Sequence, residues 1–146
     1  MKNLDNYFDI NFFDVIVSNP PYFKMSEKSN LNDSIQKTIA RHELEITIEE
    51  ILQIARKFLK NGGTFAIVHR TDRLIEIIEL FRKYNIEPKR IQLIYPKKNT
   101  ESNMFLIEGR KNGKVGLKVL PPLIAHEESG EYTKKVKETF QERRKK

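Results

Sequence analysis

Apolar and polar positions alternate between two periods along this chain. Phe13-Asp14-Val15-Ile16-Val17-Ser18 is short, β-branched and closed off by Asn19-Pro20-Pro21, the pattern of a buried strand with an abrupt end. Residues 24–42 are polar and lack a period before Ile35, which predicts a long loop with at most a short helix near its end. Thr47 and Glu50 have capping-box spacing, and Ile48, Ile51, Leu52, Ala55, Phe58 and Leu59 then fall on one helical face. Asn61-Gly62-Gly63 is the expected stop of that helix, because glycine accepts the left-handed conformation of a C-cap.

Thr64 to His69 is a second predicted strand, and Asp72 the expected cap of a second helix with Leu74, Ile77, Ile78 and Phe81 as its buried stripe, ending at Asn85 before Pro88. Arg90–Tyr95 and Met104–Glu108 read as third and fourth strands. The polar run 96–103 between them suits a reversal between antiparallel neighbours. Gly116–Leu120 adds a short fifth strand, and Tyr132 to about Arg144 a helix with a sparse apolar face of Val136 and Phe140. This strand–helix–strand–helix–strand–strand order requires crossover connections. It predicts an α/β fold with parallel strands and an antiparallel edge hairpin.

Composition narrows the function classes. The 146 residues include no cysteine, which excludes a disulfide scaffold, a thiolate nucleophile and a cysteine zinc site. No apolar run approaches the roughly 20 residues of a membrane-spanning helix, and Asp5, Asp9 and Asp14 spoil a signal-peptide reading, so a soluble cytoplasmic protein is expected. The net charge of +7 is unevenly spread. Residues 1–55 hold five basic and nine acidic side chains, residues 56–118 fifteen and six, residues 119–132 none and three, and residues 133–146 seven and two. A basic middle and tail suit a polyanionic partner, although a charge run also serves as a solvated face.

The chemistry concentrates at Asn19-Pro20-Pro21-Tyr22, followed by Phe23. Each proline holds the residue before it extended, and neither proline supplies a backbone donor. A side-chain amide oxygen and a backbone carbonyl are thereby presented stiffly beside aromatic rings, a surface of acceptors that suits an exocyclic amine on a planar ring. An amine attacking a methyl donor becomes tetrahedral and more positive, so fixed acceptors favour its transition state over its ground state. A strand-terminating Pro-Pro turn with a locally packed tyrosine explains the same residues. His42 with Arg41 and Glu43 could orient a substrate or simply sit in a solvated loop; His69 could end a strand by bonding a neighbouring loop. His126 beside Glu127 and Glu128 has no metal-ligand spacing, so no metal is expected, and Ser18 lacks a nucleophile-elbow context.

The segment Asp14–Tyr22 resembles the catalytic strand and loop of S-adenosylmethionine-dependent amino-methyltransferases. With Phe23, Ala40-Arg41-His42-Glu43, His69-Arg70, Pro88-Lys89-Arg90-Ile91, Tyr95-Pro96-Lys97, Gly116–Leu123 and Gly130-Glu131-Tyr132-Thr133, the chain resembles, in order and over nearly its whole length, the tRNA1(Val) (adenine-37) N6-methyltransferase family. The resemblance implies a class I, Rossmann-like methyltransferase fold, S-adenosylmethionine as cofactor, and methyl transfer to N6 of an adenine in a tRNA anticodon loop. It makes Asn19, Pro20 and Tyr22 the catalytic residues, with Tyr22 stacked on the base and Pro21 and Phe23 beside it. Arg41 and His42 are further substrate-side candidates, and the charge of the middle block adds Arg70, Arg73, Lys89, Arg90, Lys97 and Lys98 as tRNA contacts.

The chain departs from the family in its glycines, which stand only at 62, 63, 109, 113, 116 and 130. None forms the glycine-rich turn of a cofactor cradle, so Asn19 and Pro20 offer only part of a cofactor site. Comparison with the family makes residues 1–132 a partial methyltransferase domain lacking strands one to three, and 133–146 a basic helix or tail. The expected partners are tRNA and either a chain supplying the missing half or a second copy at the open sheet edge. The isolated chain is expected to be inactive. A non-catalytic RNA-binding remnant, or half of a protein glutamine N5-methyltransferase, are the alternatives.

Overall fold

The computed structural model describes residues 6–20 and 47–142. Its sheet is built from β1 (Phe13–Ser18), β2 (Leu59–Arg70), β3 (Ile86–Tyr95), β4 (Met104–Lys111) and two short strands, β5 (Lys118–Val119) and β6 (Leu123–Ile124). Helix α1 (Ile48–Phe58) precedes β2, α2 (Leu74–Lys83) precedes β3, and α3 (Lys134–Glu142) follows the sheet. The strand order is β1-β2-β4-β3-β5, with β6 also pairing β3. β1 and β2 are parallel, β4 is antiparallel to both β2 and β3, and β5 and β6 run parallel to β3. The β3–β4 hairpin thus flanks the sheet as expected, with the antiparallel strand as its inner member. The expected loop at 24–42 lies outside the described residues.

Helix α1 starts as its sequence dictates. The Thr47 hydroxyl accepts from the Glu50 amide at 3.1 Å, and the Glu50 carboxylate accepts from the Thr47 amide at 2.7 Å. Its stop differs from expectation. Leu59, not Asn61-Gly62-Gly63, is the C-cap, in extended conformation, and β2 already begins there. Gly62 takes φ +75° inside the strand, where β1 and β2 slip register between Phe13 and Val15. The glycines therefore serve an irregularity of the sheet rather than a helix end.

Asp72 likewise does not cap α2. Thr71–Arg73 forms a 3-10 turn, Arg73 is the N-cap without a side-chain bond, and Asp72 pairs with Arg70 at 2.9 Å. The helix ends at Lys83, and Asn85 follows with φ +53°, a left-handed value asparagine tolerates. β3 begins four residues earlier than expected and runs through buried Pro88, where a register shift against β4 accommodates the missing donor. The fifth strand shrinks to two residues, and β6 is an element that the sequence pattern did not reveal.

The core lies on one side of this sheet. Ile48, Ile51, Leu52 and Ala55 of α1 and Ile77 and Phe81 of α2 cluster with Phe65, Ile67, Ile91, Phe105 and Ile107 of the strands. The Phe65 and Phe81 rings meet at 5.4 Å between centroids. Above the α1–α2 contact, Tyr84 Oη donates to Glu49 at 2.6 Å and accepts from Gln53 at 2.9 Å. The opposite sheet face is only partly covered. Val15, Val17 and Leu106 are exposed there, in register with half-buried Ala66, Val68, Met104 and Ile94. The outer edge of β1 pairs with no other described strand. An apolar face and an open parallel edge meet at β1, a template for another strand.

Candidate functional site

Because β1, β2 and β3 are mutually parallel, their carboxyl ends share one edge of the sheet, where open α/β folds bind ligands. Asn19 and Pro20 emerge there directly after β1; Pro20 is buried and Asn19 is an exposed residue beside that fixed proline. Pro21, Tyr22, Phe23, Arg41 and His42 lie outside the described residues. At the end of β2 stand His69, Arg70 and Arg73, and at the end of β3 Lys97 and Lys98.

Hydroxyls and backbone groups tie these ends together. Ser102 Oγ lies 2.9 Å from Ile94 O and 3.0 Å from Met104 O, which share its one proton, and 3.1 Å from Thr71 Oγ1. The Thr71 amide donates to Asn103 O at 3.1 Å, and the Asn103 amide to Ile94 O at 3.2 Å. The link makes the edge a stiff platform, and the polar run 99–103 was the sequence signal for it. In sequence that run reads as a plain reversal.

The cations divide into two kinds. Arg70 pairs with Asp72, Arg73 with Glu76 in a two-pronged contact, and Arg90 with Glu108 at 2.9 and 2.6 Å. Glu76 holds the Arg73 guanidinium above its ordinary range and is itself held below the usual carboxylate range by Arg73. Lys89 and Lys97 instead donate to backbone carbonyls, of Lys114 at 3.0 Å and Glu128 at 3.3 Å, and Lys98 is exposed. Lys89 and Arg90 sit in the amino-terminal half of β3, so the structure does not bring them to the edge that carries Asn19. Three of the six expected phosphate contacts are thus already charge-balanced, because sequence position does not reveal which carboxylate folds beside which guanidinium.

His69 is buried at 3% exposure, and burial followed by the nearby Arg73 charge lowers its pKa. It therefore belongs to the packed support of the edge. Lys111, 7% exposed, lies at the opposite end of the sheet, donating at 2.7 Å to both Asn11 Oδ1 and Leu59 O. Among the described residues no group of His, Asp or Glu could hold a metal ion, and no helix is long and apolar enough to cross a membrane.

The glycines test the cofactor expectation. Gly109 is wedged against Glu87, Ile86 and Phe81, Gly63 against Lys60, Leu59 and Asp14, and Gly62 in β2, Gly116 in the irregular chain before β5 and Gly130 in a bend have positive φ. None lies in a turn from a strand's carboxyl end into a helix, so these residues do not by themselves form a cradle for S-adenosylmethionine.

No family model matches the chain. A tRNA1(Val) (adenine(37)-N6)-methyltransferase of Bacteroides thetaiotaomicron is 32% identical over 130 residues, covering 88% of this chain and 54% of the relative. The chain therefore spans about half the length of the curated relatives it matches. Among solved structures, an Agrobacterium tumefaciens protein described as a predicted O-methyltransferase superposes with a TM-score of 0.71 at 20% identity, covering 96% of this chain and 56% of that one. A Thermus thermophilus protein described as a candidate DNA modification methylase, solved in complex with S-adenosyl-L-methionine, gives a TM-score of 0.52 at 14% identity, covering 78% of this chain and 54% of that one. The sheet order, the helices on its core face and these two lines of similarity agree: the chain is similar in sequence to part of the tRNA1(Val) (adenine(37)-N6)-methyltransferases and has part of the class I methyltransferase fold.

Proposed function

We propose that this chain is the substrate-side half of an S-adenosylmethionine-dependent methyltransferase that modifies the exocyclic amine of an adenine in tRNA. The observation that carries this reading is Asn19-Pro20 at the carboxyl end of β1, an exposed asparagine next to a buried proline. The Asn19 side-chain oxygen and the Pro20 carbonyl accept from the two amine protons and hold the nitrogen in place. Their attraction grows as the nitrogen gains positive charge, which favours the transition state. Pro21, Tyr22 and Phe23 flank the base in this reading, with Tyr22 as its stacking partner, and Arg41 and His42 contact the substrate. Lys97 and Lys98 at the end of β3, whose charges are not taken up by a described carboxylate, attract the RNA backbone.

The cofactor half comes from polypeptide beyond these residues. Such a segment would pair with the open edge of β1 and cover the apolar face around Val15, Val17 and Leu106. The support is the exposure of those side chains together with the half-length match to the relatives. The complemented protein would work in the cytoplasm, where tRNA is its partner.

The test replaces Asn19 in the complemented enzyme. Asn19→Ala is expected to lower kcat by roughly 100-fold or more, the usual loss for one preorganised group at a developing charge, with little change in KM for tRNA. A variant with unchanged kcat would remove Asn19 from the chemistry. Transfer to a glutamine side chain of a protein, with none to tRNA, would select the protein-methylating alternative.

A further inference from the structure

The segment after β5 has no part in the chemistry proposed above. β6 runs parallel to Ile94–Tyr95, so the residues that follow it leave the sheet at the edge that carries Asn19 and Lys97. There the Ala125 amide donates to Tyr95 O at 2.8 Å and the His126 amide to Pro96 O at 3.0 Å. The chain turns back through Glu127–Glu131, closed by Glu127 N to Glu131 O at 2.8 Å and Gly130 N to Glu127 O at 2.9 Å. Gly130 takes φ +91°, which this tight return requires and glycine supplies without strain. His126 and Tyr132 form a bridge across the turn, and their rings stack at 4.8 Å between centroids and 26° between planes. Thr133 locks the return strand, its amide bonding Ala125 O at 3.0 Å and its hydroxyl Ile124 O at 2.8 Å.

Tyr132 is thus held against an imidazole on a braced turn, yet remains 51% exposed. Core packing does not account for an aromatic ring kept half in water. The surrounding charge points to a ligand class. Lys97 reaches the turn through Glu128 O, Lys98 lies beside it in sequence, and exposed Lys134 and Lys135 follow Tyr132 after Thr133. Of the three carboxylates of the turn, Glu131 is paired with Lys137 at 2.9 Å, and Lys134 is paired with Glu138 at 3.8 Å, which leaves Glu127 and Glu128 against Lys97, Lys98 and Lys135. A braced, exposed aromatic ring at the ligand edge, on a turn that Lys97 reaches, suits an unpaired nucleobase, because stacking needs a flat partner and the adjoining phosphates need positive charge.

We infer that Tyr132, braced by His126, stacks on an unpaired nucleobase of the RNA substrate, at a position separate from the base presented to Asn19. The inference rests on the RNA reading given above and adds a second contact to it. Tyr132 is here a binding residue that sets which loop nucleotides lie against the enzyme.

The test uses the 146-residue chain, a stem–loop RNA carrying 2-aminopurine in its loop, and a fully paired duplex as control. Tyr132→Ala is expected to weaken stem–loop binding about 5- to 150-fold and to abolish the quenching of 2-aminopurine, with duplex binding unchanged. Tyr132→Phe should restore both, since the ring and not the hydroxyl stacks, and His126→Ala should give a smaller loss. Far-UV circular dichroism confirms that each variant is folded. If Tyr132→Ala binds the stem–loop as the unsubstituted chain does, while Lys97→Ala and Lys98→Ala bind it more weakly, the stacking inference falls and the RNA reading stands. If Tyr132→Phe loses binding as Tyr132→Ala does, the contact is through the hydroxyl and the inference is overturned. If the unsubstituted chain binds neither RNA, the RNA reading fails and takes the inference with it.

Discussion

Replacing Lys97 or Lys98 by alanine should change how RNA binding responds to salt, whereas replacing Arg90 should not. All three stand in the basic block, and sequence alone treats them alike. In the structure Arg90 donates from two nitrogens to Glu108, at 2.9 and 2.6 Å. To reach a phosphate it would have to leave a carboxylate that already neutralises it. Among the described residues the Lys97 ammonium donates to a carbonyl and pairs with no carboxylate, so its charge is kept for a ligand. Each phosphate neutralised contributes about 0.7–0.9 to the slope of log affinity against log salt, because a bound cation is released. Between about 50 and 200 mM salt this amounts to roughly threefold in affinity per contact. Lys97→Ala and Lys98→Ala should each flatten the slope by about that increment, and the double variant by about twice as much. Arg90→Ala, Arg70→Ala and Arg73→Ala should leave it nearly unchanged. Fluorescence anisotropy of a labelled tRNA transcript, titrated at four or more salt concentrations, reads the slopes directly. An Arg90→Ala slope as shallow as that of Lys97→Ala would refute the division into paired and available cations.

Three further outcomes test the fold beneath the site. A Cβ at Gly109 would lie 2.8 Å from Glu87 O and 2.9 Å from Ile86 Cγ2 and Phe81 Cδ1, so Gly109→Ala should cost about 1–3 kcal/mol by overpacking, read as a lowered urea midpoint. Thr47→Ala removes a complete capping box and should cost about 1 kcal/mol in the same assay. The Arg73 partner depresses the pKa of Glu76 in the folded chain, so its contribution is present above the ordinary glutamate range and is lost on acidification. The stability advantage of the unsubstituted chain over Glu76→Gln should shrink as pH falls through that range, and an advantage that grew on acidification would contradict the pairing.

Much of the fold was legible because periodicity reports burial directly. β1 matches its predicted limits, and the stripe Ile48, Ile51, Leu52, Ala55 and Phe58 is buried residue for residue. The misses have a common physical source, since local propensity yielded to tertiary pairing. Gly62-Gly63 looks like a helix stop in isolation, but β1 recruits the chain into a strand from Leu59 onward. Asp72 has the right spacing to cap α2 and is drawn instead to Arg70. β6 is two residues long and exists only because Ile94 and Tyr95 offer it a neighbour. In the site, Asn19-Pro20 was readable because proline acts locally. The pairing of Arg90 with Glu108 was not, because it joins residues of two different strands. Tyr132 stood in the resemblance as one of a run of letters, and only the ring stack with His126 gave it a physical role.

The proposed amine-binding half of a methyltransferase needs a cofactor half to act. The direct measurement is transfer of labelled methyl from S-adenosylmethionine to an unmodified tRNA transcript. It is made with the chain alone and with the chain joined to the portion of the Bacteroides thetaiotaomicron relative that it does not span. No transfer by the chain alone, and transfer by the joined protein that Asn19→Ala abolishes, is the predicted result. Transfer by the chain alone, or a folded joined protein that binds the methyl donor and leaves tRNA unmodified, would contradict it.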